Sequence, residues 1–379
     1  MRVRESTREN RYMSNLASSL TRAPATSQLP LSWYLDERIF ELEKKYLFAD
    51  APGYVGHALM VPSAGDYYTL EWTDHGKMLV HNANGIELMT NACRHRQAII
   101  VEGKGNSRNM VCPLHRWTYD MEGRLLGAPH FPENPCRNLY KKPISNWKGL
   151  LFTGKRDAGK DMAGWGVDRE FDMSDYVFDR MTVTECKQNW KTFIEIYLEL
   201  YHVVPFHPGL AGFVACDDLR WTVGEQYSVQ VLGPNNHLQK PGTPVYRKWH
   251  EQVKRYMGDR DPEHGAIWHL YYPNVMLEWY PNTIVISTLI PTSPIRTLNV
   301  VEYYYTEEVA LFEREYVEAQ QAAYAETASE DETIGQRTDR GRQALADDGI
   351  EDFGPIQSPM EDGIVYFQTW VRQRLLPHL

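Results

Sequence analysis

The chain comprises 379 residues, 42% of them hydrophobic and 24% charged, with a formal net charge of −10. A chain of that length buries a substantial core and is expected to form two domains. Its acidic balance argues against generic nucleic-acid binding, which needs a basic face, and no apolar run of about eighteen residues is present to span a membrane.

Residues 1–23 are rich in Arg, Ser and Thr, but Glu5 and Glu9 interrupt them and no apolar segment follows. A disordered tail is expected there rather than a targeting peptide. Residues 24–53 read as a lead-in packed on the second domain, with a helix over Trp33–Phe48 that sets Leu35, Ile39, Leu42 and Tyr46 on one face. From 54 to 157 the texture is strand-like. Tyr67–Trp72, Lys77–His81 and Gly85–Thr90 are short runs separated by Asp-His-Gly and Asn-Ala-Asn-Gly turns, which predicts an all-β module. The Gly- and Asp-rich stretch 154–166 marks its exit, and residues 158–379 make the second domain. There, apolar residues at 190, 193, 194, 197, 198 and 201 predict one buried helix face. Strands are expected over Trp221–Val231 and across Ala266–Tyr305. Thr306–Ala328, free of Pro and Gly, reads as a helix packed through Leu311, Tyr316, Ala319 and Tyr324. The whole is an α+β chain: an all-β domain followed by an antiparallel sheet packed against helices.

Two loops of the first domain carry metal-ligating chemistry, Cys93-Arg-His95 and Cys112-Pro-Leu-His115. Two thiolates and two imidazoles in mixed pairs are the ligand set of a Rieske [2Fe-2S] cluster, in which two His replace two Cys on one iron. Cys2His2 also suits tetrahedral zinc, but zinc motifs pair Cys with Cys and His with His. The second domain offers Glu199, His202 and His207. Glu199 and His202, three apart, project from adjacent helical turns. Pro205 ends the helix and lets His207 fold back toward His202. Two His and a carboxylate form the facial triad of mononuclear Fe(II) oxygenases, with positions left open for dioxygen. A pair of satisfied core histidines is the structural alternative, and a one-electron donor in the same chain makes it the weaker one.

Cys93-x-His95-Arg96, Cys112-Pro113-x-His115-x-Trp117-Thr118-Tyr119, Asn189-Trp190-Lys191, and Tyr201-His202 with His207-Pro208 resemble the catalytic alpha subunit of the Rieske-type non-haem iron oxygenases. The resemblance covers almost the whole chain. It implies that Cys93, His95, Cys112 and His115 hold the cluster, that His202 and His207 are ligands of a mononuclear Fe(II), and that the third ligand is an Asp near the C-terminal end. Asp331, in Ser329-Glu330-Asp331-Glu332, is the best match, with Glu330, Glu332 and Asp339 as competitors. Most members carry Asp three residues before the first iron-ligand His, where this chain has Glu199. That residue would act in catalysis by bridging His202 to His115 of a neighbouring subunit. Glu at this position, and the segment Glu361–Gln368, are similar to the carnitine monooxygenase branch. Gln97 stands where the family usually has Gly, in a backbone region that Gln reaches only with strain.

The activity implied is that of a terminal oxygenase working as a homotrimer. It would use O2 and electrons from a separate flavin/iron–sulfur reductase, with or without a ferredoxin, to hydroxylate, demethylate or cleave a small organic substrate. No dinucleotide fingerprint is present to oxidise NAD(P)H within the chain. A non-catalytic Rieske electron carrier is the alternative class. Reduced thiols expected at Cys136, Cys186 and Cys216 point to the cytoplasm. For the substrate, the aromatic residues Trp268, Tyr271, Tyr272, Trp279, Tyr280, Tyr303, Tyr304 and Tyr305 read either as sheet core or as a cage for a quaternary ammonium group, carnitine- or betaine-like. An aromatic acid anchored by Arg220, Arg247 or Arg296 is the other reading.

Overall fold

The computed structural model describes residues 28–258 and 260–379. The tail expected over 1–23 lies outside the described residues. The chain divides into two compact units, Pro52–Ala158 and a second built from residues 28–51 with Gly159–Leu379.

Pro52–Ala158 is all-β. Strands Asp66–Thr69, Lys77–Asn82 and Gly85–Thr90 are the middle of a five-stranded antiparallel sheet. The last two are joined by a tight turn in which Asn82 Oδ1 accepts from the Asn84 N–H at 2.8 Å and Gly85 takes φ +101°, the left-handed backbone that glycine adopts without penalty. A three-stranded sheet, Asn109–Val111, Thr118–Asp120 and Leu125–Gly127, brackets the second Cys/His loop. Met78, Val80, Met89, Met110 and Tyr119 meet in one core, and Cys93, Cys112 and Trp117 belong to it.

The second unit is built on a seven-stranded antiparallel sheet. In chain order its strands are β1 (Tyr176–Cys186), β2 (Val214–Val223), β3 (Tyr227–Pro234), β4 (Ala266–Tyr271), β5 (Val275–Tyr280), β6 (Thr283–Ser293) and β7 (Arg296–Thr306). Their spatial order, β1-β7-β6-β5-β4-β3-β2, is a meander closed by β1 on the outer edge of β7. Trp268, Glu278, Val285 and Tyr303 are successive register partners across β4 to β7, so their side chains share one face. Trp268, Val285 and Tyr303 pack there against Tyr246 and Trp249 of the helix Pro244–Met257 and against Tyr316 and Ala323.

Three helices position the site: α1 (Trp190–Tyr197), α2 (Val203–Phe206) and α3 (Arg314–Asp347). Asn189 caps α1, its Oδ1 accepting from the Lys191 N–H at 2.8 Å. A buried clamp joins α1 to α3. Arg342 donates to Glu195 Oε2 at 2.9 Å and to Thr192 Oγ1 at 2.6 Å, while Asp339 accepts from the Asn189 N–H at 2.6 Å and the Thr192 hydroxyl at 2.5 Å. Gly335 allows close approach of α3, since a Cβ there would come within 1.9 Å of Gln188 Oε1.

Two expected helices are broken. Over Trp33–Phe48, Asp36 is extended and caps Glu37–Glu43 by accepting from the Arg38 N–H at 2.7 Å, and a π-turn over Lys44–Phe48 follows. Over Thr306–Ala328, Glu313 leaves helical geometry at φ −121°, separating Glu307–Phe312 from α3.

Candidate active site

Cys93 and Cys112 open two loops of the same conformation. In each the Cys N–H donates to the carbonyl five residues on, Ala98 or Trp117, at 2.8 Å. The Cys carbonyl in turn accepts from Gln97 at 2.9 Å or Arg116 at 3.0 Å. Gln97 and Arg116 sit at φ +59° and +61°, where a side chain costs about 1–2 kcal/mol. The strain expected at Gln97 is therefore present, and its counterpart in the second loop bears the same strain. Both thiols are buried. The His95 and His115 rings meet edge to face with centroids 4.7 Å apart, and Trp117 stacks on His95 at 4.9 Å. His95 Nδ1 is buried with no hydrogen-bond partner, a costly state unless another group takes its lone pair. The Tyr119 hydroxyl lies 3.4 Å from Cys93 Sγ and accepts from the Arg94 N–H at 3.0 Å. Burial, and then Cys93 itself, push its pKa up, so it faces the sulfur as a protonated donor.

In the second unit, α1 ends at Tyr197, earlier than the apolar pattern suggests, and Glu199 falls in the turn that follows. Pro205 lies inside the one-turn α2 instead of ending a helix. His202 and His207 are the N-cap and C-cap of that turn, which brings their rings to 4.8 Å between centroids. Their Nε2 atoms are 2.9 Å apart. Asp331 Oδ1, projecting from α3, stands 2.9 Å from His207 Nε2 and 3.4 Å from His202 Nε2. The outer nitrogens are held as well. Glu199 meets His202 Nδ1 through Oε1 and accepts the His202 N–H through Oε2 at 3.0 Å. Glu330 Oε2 accepts from His207 Nδ1 at 2.6 Å. Burial draws the His202 pKa down, but the carboxylates of Asp331 and Glu199 outweigh it and leave it raised to about 9. Of the four carboxylates weighed as third ligand, Asp331 alone converges with both Nε2 atoms. Glu330 takes the opposite edge of His207, Glu332 accepts from Gln336 at 2.9 Å, and Asp339 is held in the Arg342 clamp.

Glu199, His202, His207 and Asp331 line a cavity of about 370 Å³, shared with Phe193, Trp268, Glu278, Tyr280, Tyr303 and Tyr324. Of the aromatic residues singled out in Ala266–Tyr305, only Trp268, Tyr280 and Tyr303 line it. Strand alternation turns Trp279 and Tyr304 to the other face, against His264 and Phe178. Arg220, Arg247 and Arg296 are absent from the lining, and Arg296 is held on the surface by Glu185 at 2.5 Å. Glu278 was missed by sequence reasoning. Its signal was a single carboxylate within an aromatic and aliphatic strand, two residues before Tyr280 and hence on the same face. It is 5% exposed and accepts from the Tyr280 hydroxyl at 2.8 Å and the Tyr324 hydroxyl at 3.0 Å. Trp268 Nε1 donates to the Tyr280 oxygen at 3.0 Å. Burial raises the Glu278 pKa to about 7.

Residues 52–142 match the Rieske [2Fe-2S] domain, and residues 171–376 match the ring hydroxylating alpha subunit (catalytic domain). The chain belongs to the Rieske oxygenase alpha subunits. This Rieske oxygenase is 56% identical over 361 residues to the putrescine 2-hydroxylase of Ralstonia nicotianae, spanning 95% of this chain and 99% of that one. It is 50% identical over 365 residues to the putrescine 2-hydroxylase of Bordetella bronchiseptica, spanning 92% and 85%. A solved quaternary ammonium Rieske monooxygenase shares the fold, with a TM-score of 0.74 at 20% identity over 92% of this chain and 95% of that one. The electron-carrier alternative gives way to an oxygenase, because a catalytic domain follows the Rieske domain. Such an enzyme carries a Rieske [2Fe-2S] cluster and a mononuclear iron and works with separate electron-transfer partners. The residues present fit both groups: an unpartnered, buried His95 Nδ1 and two buried thiols at the two matched loops, and two Nε2 atoms converging with Asp331 Oδ1. No helix among the described residues is long and apolar enough to cross a membrane.

Proposed function

We propose that this oxygenase inserts one oxygen atom into a C–H bond of a short aliphatic diamine, with putrescine as its substrate. The observation that carries the reading is that His202, His207 and Asp331 share a wall of an aromatic-lined cavity of about 370 Å³, near the small end of ligand pockets, which run from roughly 300 to 1,000 Å³. The relatives that share half or more of the sequence are named for putrescine, whereas the quaternary ammonium enzyme shares 20%. In this reading the aromatic lining faces a primary ammonium in place of the trimethylated group expected from the sequence.

One oxygen atom enters the substrate and the other leaves as water, consuming two electrons and two protons from outside the chain. When bound, the mononuclear iron supplies dioxygen activation and the cluster supplies electrons singly. His202, His207 and Asp331 would hold the iron, and Cys93, His95, Cys112 and His115 the cluster. Glu199 and Glu330 fix the tautomers of His202 and His207 by accepting hydrogen bonds from their Nδ1–H groups. Glu199 lines both the cavity and an outer depression flanked by exposed Tyr201 and Val204. In a homotrimer, that depression is where His115 of a neighbouring subunit would approach. Electrons would come from a flavin/iron–sulfur reductase, directly or through a ferredoxin.

A substrate screen with such a reductase tests the reading. Putrescine is expected to drive reductant consumption tightly coupled to a hydroxylated diamine, with no formaldehyde. Coupled turnover of carnitine or betaine, with putrescine inert, would overturn it.

A further inference from the structure

We infer that Glu278 is the anion that binds an ammonium group of the substrate, within walls formed by Trp268, Tyr280, Tyr303 and Tyr324. The inference rests on the amine-hydroxylase reading and names the residue that selects its substrate. Glu278 projects from β5 into the cavity that holds the His202, His207 and Asp331 ligand atoms. No salt bridge reaches it among the described residues. The cavity's arginine, Arg180, stands over the Tyr303 ring at 5.4 Å instead.

A purely structural acid would need only to satisfy its neighbours, and a buried charge without a partner is strongly disfavoured. The local hydrogen bonds nevertheless favour the carboxylate. Because Trp268 Nε1 donates to the Tyr280 oxygen, the Tyr280 proton is directed to Glu278 Oε2, while Tyr324 supplies a second donor to Oε1. A carboxylate offers about four acceptor sites, so two donors leave acceptors free toward the cavity. A primary ammonium supplies both the missing charge and N–H donors for those sites, and the surrounding rings add cation–π attraction. A trimethylammonium head has no N–H to give. Glu278 therefore selects primary over quaternary ammonium.

The test is calorimetric binding to the holoenzyme, using putrescine, butylamine and a trimethylated putrescine, for the wild type and for Glu278→Gln and Glu278→Asp. The amide preserves size but can accept from only one of the two tyrosines, which donate to separate oxygens, and Asp retains the charge on a shorter reach. Glu278→Gln is expected to weaken putrescine binding about thirtyfold, with the Rieske spectrum and iron content unchanged. Glu278→Asp recovers part of the loss, and the wild type prefers putrescine to its trimethylated form. If the wild type binds and hydroxylates putrescine while Glu278→Gln binds it equally well, the inference fails and the amine-hydroxylase reading survives. If the wild type binds none of the three compounds, both fail.

Discussion

Glu330 Oε2 accepts from Nδ1 of His207 at 2.6 Å, while its neighbour in sequence, Asp331, meets Nε2 of the same ring at 2.9 Å. Consecutive residues of α3 thus grip opposite edges of one imidazole. Carboxylates behind metal-bound imidazoles fix ring orientation and raise basicity, so Glu330→Gln is expected to lower iron affinity about 10–100-fold. The Rieske absorption should not change. Iron retained after dialysis against a chelator is the measurement, and retention equal to wild type would make Glu330 a bystander.

The two metal centres are expected to be separable by mutation. His202→Ala, His207→Ala or Asp331→Ala should reduce about three irons per chain to two while sparing the Rieske EPR signal. Cys93→Ser or Cys112→Ser should abolish that signal. Turnover retained in a His202 or His207 variant would contradict the site, and loss of iron in Glu332→Ala but not in Asp331→Ala would move the third ligand.

Glu199→Gln is expected to keep both metal centres and to slow oxidation of the reduced cluster in a single turnover. An amide replaces the anion at His202 Nδ1, and charge-assisted hydrogen bonds are roughly twice as strong as neutral ones. A cluster oxidation rate equal to wild type would mark Glu199 as an ordinary surface carboxylate.

Diamine binding is expected to depend on pH through Glu278, which burial raises to about 7. The groups facing it are Tyr280 on its own strand, Tyr303 on β7, Tyr197 on α1, and Tyr324 and Asp331 on α3. The four tyrosines are themselves raised, by burial first and by Glu278 next or close behind, so they stay neutral across this range. An amine remains protonated there as well. Lowering the pH through about 7 protonates the carboxylate, so affinity should fall about tenfold per pH unit below that point and level off above it. Glu278→Gln should flatten the profile. A dissociation constant independent of pH in the wild type would contradict the assignment.

The candidate metal motifs stand out in the sequence because ligand chemistry restricts residue type and spacing together, as in Cys93-x-His95 and Cys112-x-x-His115. The hairpin at Asn82–Gly85 was legible because its turn demands glycine at a positive φ. Other boundaries were not. Pro205 read as a helix terminator, yet it sits in the first turn of α2, where its missing N–H has no partner to lose. Asp36 looked like one polar position on a helix and proved to be a cap. The third carboxylate lies 124 residues from His207; the family resemblance favours Asp331, and the rotation of α3 is what sets it apart from Glu330 by turning the two to opposite edges of His207. Glu278 was hidden because β5 is buried on both faces, and an apolar run does not reveal which side opens on a cavity.

The most direct measurement is mass spectrometry of the product formed from putrescine under isotopically heavy dioxygen, with reductase and the intact oxygenase. A singly hydroxylated diamine carrying one heavy oxygen atom is expected, formed in step with reductant consumed. Reductant consumption that yields only hydrogen peroxide and unaltered putrescine would contradict it.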